Sequence, residues 1–222
     1  MPVPADPRLC LSLPETPDRR RLFIDQGHDE FQVWDGLKMS PGWMGAALSY
    51  KHLFTRLNSE KAGRAVVCED DALFPPDFER RFKTVLRYLE KTPFEIFSGF
   101  IADANENLVI TKVEEFEGEL FIHIDRTVSM VFNIYSDTII EYLSGWDIAD
   151  LDVETNTIDR YLERRTGTKA ILTLPYLVQH RPDAASTIWG FDNTAYDELT
   201  TQSEILLARK VDEFRRKHEK GN

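Results

Sequence analysis

The chain has 222 residues, enough for a single α/β domain that buries a sizeable core without disulfide staples. Its 27 Lys and Arg against 38 Asp and Glu leave a formal net charge of −11, which removes any generic attraction to a phosphate backbone, so no nucleic-acid partner is expected. The two cysteines, Cys10 and Cys68, each sit in a short apolar run and read as buried thiols of a reducing compartment. The opening MPVPADPRLC has no basic region ahead of an apolar stretch, and no run approaches roughly 18 apolar residues, so a cytoplasmic location is expected.

In chain order, a first strand is predicted over residues 9–13. Thr16-Pro17-Asp18 then supplies a helix start, with a capping hydroxyl, Pro at the first position and an acid at the positive end of the dipole. Gly27 is its stop. A short strand over 31–34 ends at Asp35-Gly36, and Ser40-Pro41 opens a helix to about residue 58. Residues 65–68 are continuously apolar, as a fully buried strand requires. Pro75-Pro76 opens a helix over 76–91 with Phe78, Phe82, Val85, Leu86 and Leu89 on one face. A strand over 94–100 follows. This alternation predicts a parallel sheet covered by helices.

The second half reads as strands over 108–113, 120–124 and 128–134. A short helix capped by Ser136 runs to 143, and a helix over 157–165 takes Asn156 as its cap. Thr201-Gln202-Ser203-Glu204 has the pattern of a capping box ahead of a final helix over 202–219. Leu207, Val211 and Phe214 form its apolar stripe. Residues 208–222 carry six Lys and Arg against three acids. A peripheral contact with an anionic membrane is one use for that basic end, and a solvated amphipathic helix is the plainer one.

The informative feature is Glu69-Asp70-Asp71 directly after the buried strand. Ligands of open α/β sheets bind outside the carboxyl ends of the strands. Three carboxylates there repel one another unless a cation is present. Alternation along an extended chain would place Glu69 and Asp71 on one side and Asp70 on the other. Two hard oxygen ligands on one face suit Mg2+ or Mn2+ shared with a substrate diphosphate. Asp70 would then brace the turn. Arg19 and Arg20, at a helix start straight after the first strand, suit the diphosphate itself.

Several blocks in order resemble the family 25 glycosyltransferases, which include lipopolysaccharide sugar transferases and collagen galactosyltransferases. They are Cys10-Leu11-Ser12-Leu13 with Asp18-Arg19-Arg20, Trp34-Asp35-Gly36, the helix block from Gly42 to Tyr50 that includes Ser49, and Val66 to Ala72 around the triplet. Phe132 to Ser136, Ile158-Asp159, and Pro175 to Gln179 with Ser186 and Ile188 complete the series. The resemblance spans about residues 9–190. The sequence departs from the family pattern at Trp43, Ala46 and Tyr50, where the family has Glu, Cys and His; a His follows two places later, at His52.

The resemblance implies a GT-A-type fold, a Rossmann-like mixed sheet flanked by helices over residues 1–192, followed by a C-terminal amphipathic helical extension over 193–222. It implies an inverting, metal-dependent transfer of a hexose from a nucleotide-sugar donor, UDP-galactose or UDP-glucose first. The acceptor would be the hydroxyl of a glycan, lipid-linked sugar or protein. Donor contacts would come from Leu13, Arg19, Arg20, Asp35, Ser49, Glu69 and Asp70. Metal ligands would be Glu69, Asp71 and His180, the last returning late in the chain as a neutral imidazole.

Inversion needs a base for the acceptor proton. Asp159 matches the family's late Asp, and Asp152, Asp150 and Asp103 are rivals. Trp43, Trp146 and Trp189 are candidates for stacking on a sugar ring. Three other readings compete. A sugar-1-phosphate nucleotidyltransferase needs a Gly-rich loop after the first strand, and Leu13-Pro14-Glu15-Thr16-Pro17 has no Gly. A catalytically degenerate nucleotide- or glycan-binding domain would explain the lost His and Cys. A transferase acting on a hydroxylated DNA base is opposed by the net charge.

Overall fold

Two apolar runs set the centre of the molecule. Strand β1 (Arg8–Ser12) and strand β3 (Arg64–Glu69) are almost wholly buried, so each needs hydrogen-bonding neighbours on both edges and helices on both faces. The computed structural model describes residues 6–181 and 195–219. In it β1 lies between β2 (Gln32–Asp35) and β3, parallel to both. Helix α1 (Pro17–Ile24) connects β1 to β2, and α2 (Gly42–Ser59) connects β2 to β3. Gly27, at φ +78°, turns the chain after α1. Gly45 lets α2 seat tightly: a Cβ there would stand 2.5 Å from the Leu37 carbonyl oxygen.

The chain continues through β4 (Ala72–Leu73), α3 (Phe78–Leu89), β5 (Ile96–Ser98), β6 (Ile110–Phe116), β7 (Glu119–Ile124) and β8 (Phe132–Ser136). Then come α4 (Asp137–Ser144), α5 (Val153–Asn156), α6 (Ile158–Glu163), β9 (Ala170–Leu174), β10 (Gln179–His180) and α7 (Ala195–Glu219). The main sheet has eight strands in the order β2-β1-β3-β8-β5-β9-β7-β6. It is mixed, not parallel. β8 runs antiparallel between β3 and β5, β7 runs antiparallel to β9, and β6 forms the far edge antiparallel to β7. The fold class is therefore α/β with a Rossmann-like opening unit, helices on the sheet and a long C-terminal helix.

Helix α3 buries Phe78, Phe82, Val85 and Leu89, the predicted face, against the aromatic rings of Phe74 and Phe132. Several expectations fail for local reasons. The helix foreseen over 157–165 is α6, but a short helix that was not foreseen, α5, precedes it. Asp152 caps α5 by accepting from the Glu154 backbone N–H. Asn156, foreseen as the cap, is buried and donates to the carbonyls of Asp147 and Asp150. The capping-box pattern at 201–204 lies inside α7, where buried Ser203 bonds Ala102 O and Ala104 N, tying the helix to the segment after β5. Strand β9, a continuous apolar run, was not foreseen, and β8 begins at Phe132, not at 128.

Helix α7 belongs to the core through Leu207 and Val211. Its basic residues pair with the body of the protein: Arg209 with Glu106, Lys210 with the Glu106 carbonyl at 2.8 Å, and Arg215 with Glu115 at 2.8 Å. Three of the six basic residues foreseen for a membrane contact thus have acidic or carbonyl partners on the protein's own surface outside α7. Among the described residues no helix is long and apolar enough to cross a membrane.

Candidate functional site

Strand β3 stops at Glu69, and Asp70 and Asp71 form a turn at its carboxyl end. Alternation therefore does not carry past Glu69, and the two aspartates face the same guanidinium. Arg19 Nη2 bonds Asp70 Oδ1 at 2.5 Å and Asp71 Oδ2 at 2.9 Å, and Arg19 Nε bonds Asp70 Oδ1 at 2.9 Å. Ser12, the last residue of β1, donates to the other Asp70 oxygen at 2.7 Å. Asp70 thus ties the turn to β1 and α1. The cation that the triplet demanded is supplied in part by the protein itself.

His180 reaches this turn because β10 pairs antiparallel with β4, aligning His180 with Ala72. The Arg181 N–H then bonds the Asp71 carbonyl at 2.8 Å. His180 Nε2 lies 3.2 Å from Asp71 Oδ2, and its ring stacks on Phe100 with centroids 5.9 Å apart. Two nitrogen and oxygen donors at that spacing can share one divalent ion. Glu69 does not join them. Its carboxyl accepts from Tyr50 Oη at 3.0 Å, and among the described residues the only His, Cys, Asp and Glu group with ligand atoms within 4.8 Å of one another is His28, Glu30 and Glu79. Tyr50 stands where the resembled family has His. His52, the displaced histidine, is exposed and packs edge-on against Trp34.

Burial, then the neighbouring Asp71 charge, pushes the Glu69 carboxyl up to about 8, against the opposing pull of Tyr50 and Arg19. Asp70 is raised from its ordinary value, by burial first. Burial pulls the Arg19 guanidinium down, but Asp71 and then Asp70 outweigh it and hold it above its ordinary value. The triplet thus spreads its repulsion over a protonated Glu69 and a shared Arg19.

These groups open onto a cleft of about 510 Å³. Of the sequence-predicted residues, Leu13, Arg19, Ser49, Glu69, Asp70, Asp71, Asp159 and His180 line it. Arg20 and Asp35 pair with each other at 2.8 Å beside Ser12 and are not among its lining residues. Asp152 and Asp150 are not among them either, and Asp152 is committed to the α5 cap. Asp103 and Asp159 do line it, with Arg160 between them reaching Glu163 at 2.7 Å and Asp103 at 3.5 Å. Trp43 lines the cleft, whereas Trp146 is fully buried and donates to the Asn156 carbonyl. Ser186, Ile188 and Trp189 lie outside the described residues. Sequence reasoning missed Tyr50 as the partner of Glu69, Phe100 as the platform for His180, and Arg160. The only available signal was that Phe100 and Arg160 adjoin residues already singled out.

No family model matches the chain, and no curated protein matches it. Among solved structures, the crystal structure of A197 from STIV aligns over 82% of this chain and 96% of its own, at 10% sequence identity and a TM-score of 0.43. A likeness at that level carries no residue-level inference.

Proposed function

We propose that the protein is a glycosyltransferase of the family 25 kind, binding the diphosphate of a nucleotide-sugar, UDP-linked first, at the Arg19–Asp70–Asp71–His180 end of the cleft. The observation that carries this reading is the convergence there of two aspartates from one strand end, a guanidinium from α1 and an imidazole brought back by β10. The ordered sequence blocks, from Cys10 to Gln179, support it independently of the geometry. So does a GT-A-type reading of the Rossmann-like opening unit.

Asp71 and His180 suit Mn2+ or Mg2+ as a pair, with the remaining positions left to water and diphosphate oxygens. Such an ion, when bound, would neutralise charge on the departing nucleoside diphosphate. Arg19 would turn from the carboxylates toward the diphosphate as the ion takes over Asp71. Asp159 and Asp103 are the sequence-predicted carboxylates that remain in the cleft, where Glu154 also lies, to take the acceptor proton in a single displacement. Asp152 drops out because its oxygens hold α5.

A second reading has one specific observation in its favour. With Glu69 held up to about 8 and Arg19 shared by both aspartates, an ion-free triplet keeps about one net negative charge, so most of its repulsion is met without a metal. A nucleotide- or glycan-binding domain without catalysis would have the same ground state.

Thermal unfolding with a panel of nucleoside diphosphates, each with and without Mn2+, tests both. A ligand at about 100 times its Kd adds roughly 2.7 kcal/mol, a visible shift. A shift with one nucleotide that needs Mn2+ and disappears in Asp71→Ala supports the transferase reading. A metal-independent shift with no sugar turnover favours the binding domain. No shift with any nucleotide removes the donor site.

A further inference from the structure

The turn between α1 and β2 gathers a second set of ligating groups, away from the cleft. His28 Nδ1 lies 3.7 Å from Glu30 Oε1 and 3.7 Å from Glu79 Oε1. All three atoms fall within 4.8 Å of one another. These separations are too long for hydrogen bonds. They are close to an edge of the tetrahedron around zinc, where bonds of about 2.0–2.2 Å set neighbouring ligands about 3.3–3.6 Å apart. Closing the difference takes only small side-chain movements. Two carboxylates held at one imidazole nitrogen also carry more negative charge than Arg8, whose guanidinium lies 3.4 Å from Glu30 Oε1, can balance.

The imidazole is preorganised, Glu79 is free to adjust, and Glu30 would exchange its contact with Arg8 for the ion. Gly27 turns the chain at φ +78°. The Gln26 amide donates to Ala72 O and accepts from Phe74 N, each at 3.0 Å, and Phe31 N donates to His28 O at 3.1 Å. The His28 ring packs 4.2 Å from Phe74 and 5.2 Å from Phe78, centroid to centroid, with its side chain only 15% exposed. Glu79, in the first turn of α3, is 51% exposed. One fixed nitrogen and two carboxylate oxygens, from the α1–β2 turn and the start of α3, make a three-ligand set completed by water. A neutral imidazole with carboxylates is a borderline donor set that favours Zn2+ over Mg2+.

We propose that His28, Glu30 and Glu79 form a transition-metal site, with zinc its best occupant, that staples the α1–β2 turn to the start of α3. The staple would brace β4, which the same turn holds through Gln26, and so steady the strand pair that delivers His180.

The test uses the full chain stripped with a chelator. Zinc is titrated by calorimetry into the wild type and into H28Q, E79Q and D71N, and unfolding is followed with and without zinc. A site is expected whose affinity falls at least tenfold in H28Q and in E79Q and persists in D71N. Zinc near 100 times its Kd should raise the wild-type Tm by roughly 5 °C or more, and leave H28Q unmoved. Because Glu79 is half exposed, E79Q tests the site even if H28Q folds poorly. Absence of zinc binding in the wild type overturns the proposal, as does binding that survives in both H28Q and E79Q or is lost only in D71N.

Discussion

Two arginines in this protein each hold carboxylates, and they do so in different surroundings. Arg81 is buried at 5% exposure in α3, bonding Glu119 at 2.9 Å and the carbonyls of Tyr176 and Pro175, each at 2.7 Å. Of these partners Glu119 and Tyr176 are buried. Arg19 holds Asp70 and Asp71 just as closely, but all three border the cleft. The first arrangement is closed and serves packing, because a buried ion with four of its five N–H groups bonded has little to gain by moving. The second faces a volume that an anionic ligand can enter, so its bonds can be exchanged. The two are also linked: Arg81 pins the start of the segment whose end, His180, meets Asp71.

The largest effect should come from breaking the closed cluster. R81M leaves Glu119 buried without its main partner and is expected to lower the unfolding free energy by about 3–5 kcal/mol in a denaturant titration. A loss under about 1 kcal/mol would show that the Arg81 cluster is as exchangeable as the other. R19Q should cost less, on the order of 2 kcal/mol, since Asp70 and Asp71 can take up protons or water at the cleft. It should nonetheless abolish any nucleotide-induced Tm shift. A wild-type shift in R19Q would separate Arg19 from diphosphate binding.

Proton linkage sharpens the comparison next. The Glu69 carboxyl sits at about 8 in the folded protein against an ordinary value of 4.5, so between those values the folded state binds a proton the unfolded state lacks. Stability of the ligand-free protein should therefore fall as pH rises from about 4.5 to about 8. E69Q should flatten that decline, and an unchanged slope would place the linkage elsewhere. The smallest effect is expected from D152A, which removes a helix cap at a cost of about 1 kcal/mol. It should leave turnover or ligand binding intact, and a large loss of either would return Asp152 to the site.

Much of the first half was legible because its signals are local. The apolar runs at 65–68 and 9–13, the Thr16-Pro17 helix start, Gly27 and the periodic face from Phe78 to Leu89 each act through neighbours a few residues away. Glu69-Asp70-Asp71 stood out for the same reason, being three acids directly after a buried strand. The second half was less legible because its partners are distant. Asn156 looked like a cap until the Asp147 and Asp150 carbonyls came within its reach, and Ser203 looked like one until the segment after β5 packed against α7. Nothing near residues 128–131 marks where β8 begins, since its register is set by β3 and β5.

What the sequence alone determined, then, is the α/β class, the position of the acidic triplet at a strand end and the candidacy of Arg19, Asp159 and His180. What only the tertiary structure decided is who faces whom. Arg19 shares both aspartates because the strand ends one residue before them. Glu69 turns to Tyr50, Asp152 is held by its own helix, and the basic end of α7 finds Glu106 and Glu115. Side-chain direction and charge pairing depend on chain segments up to a hundred residues apart, and no local pattern records which of them folding will bring together.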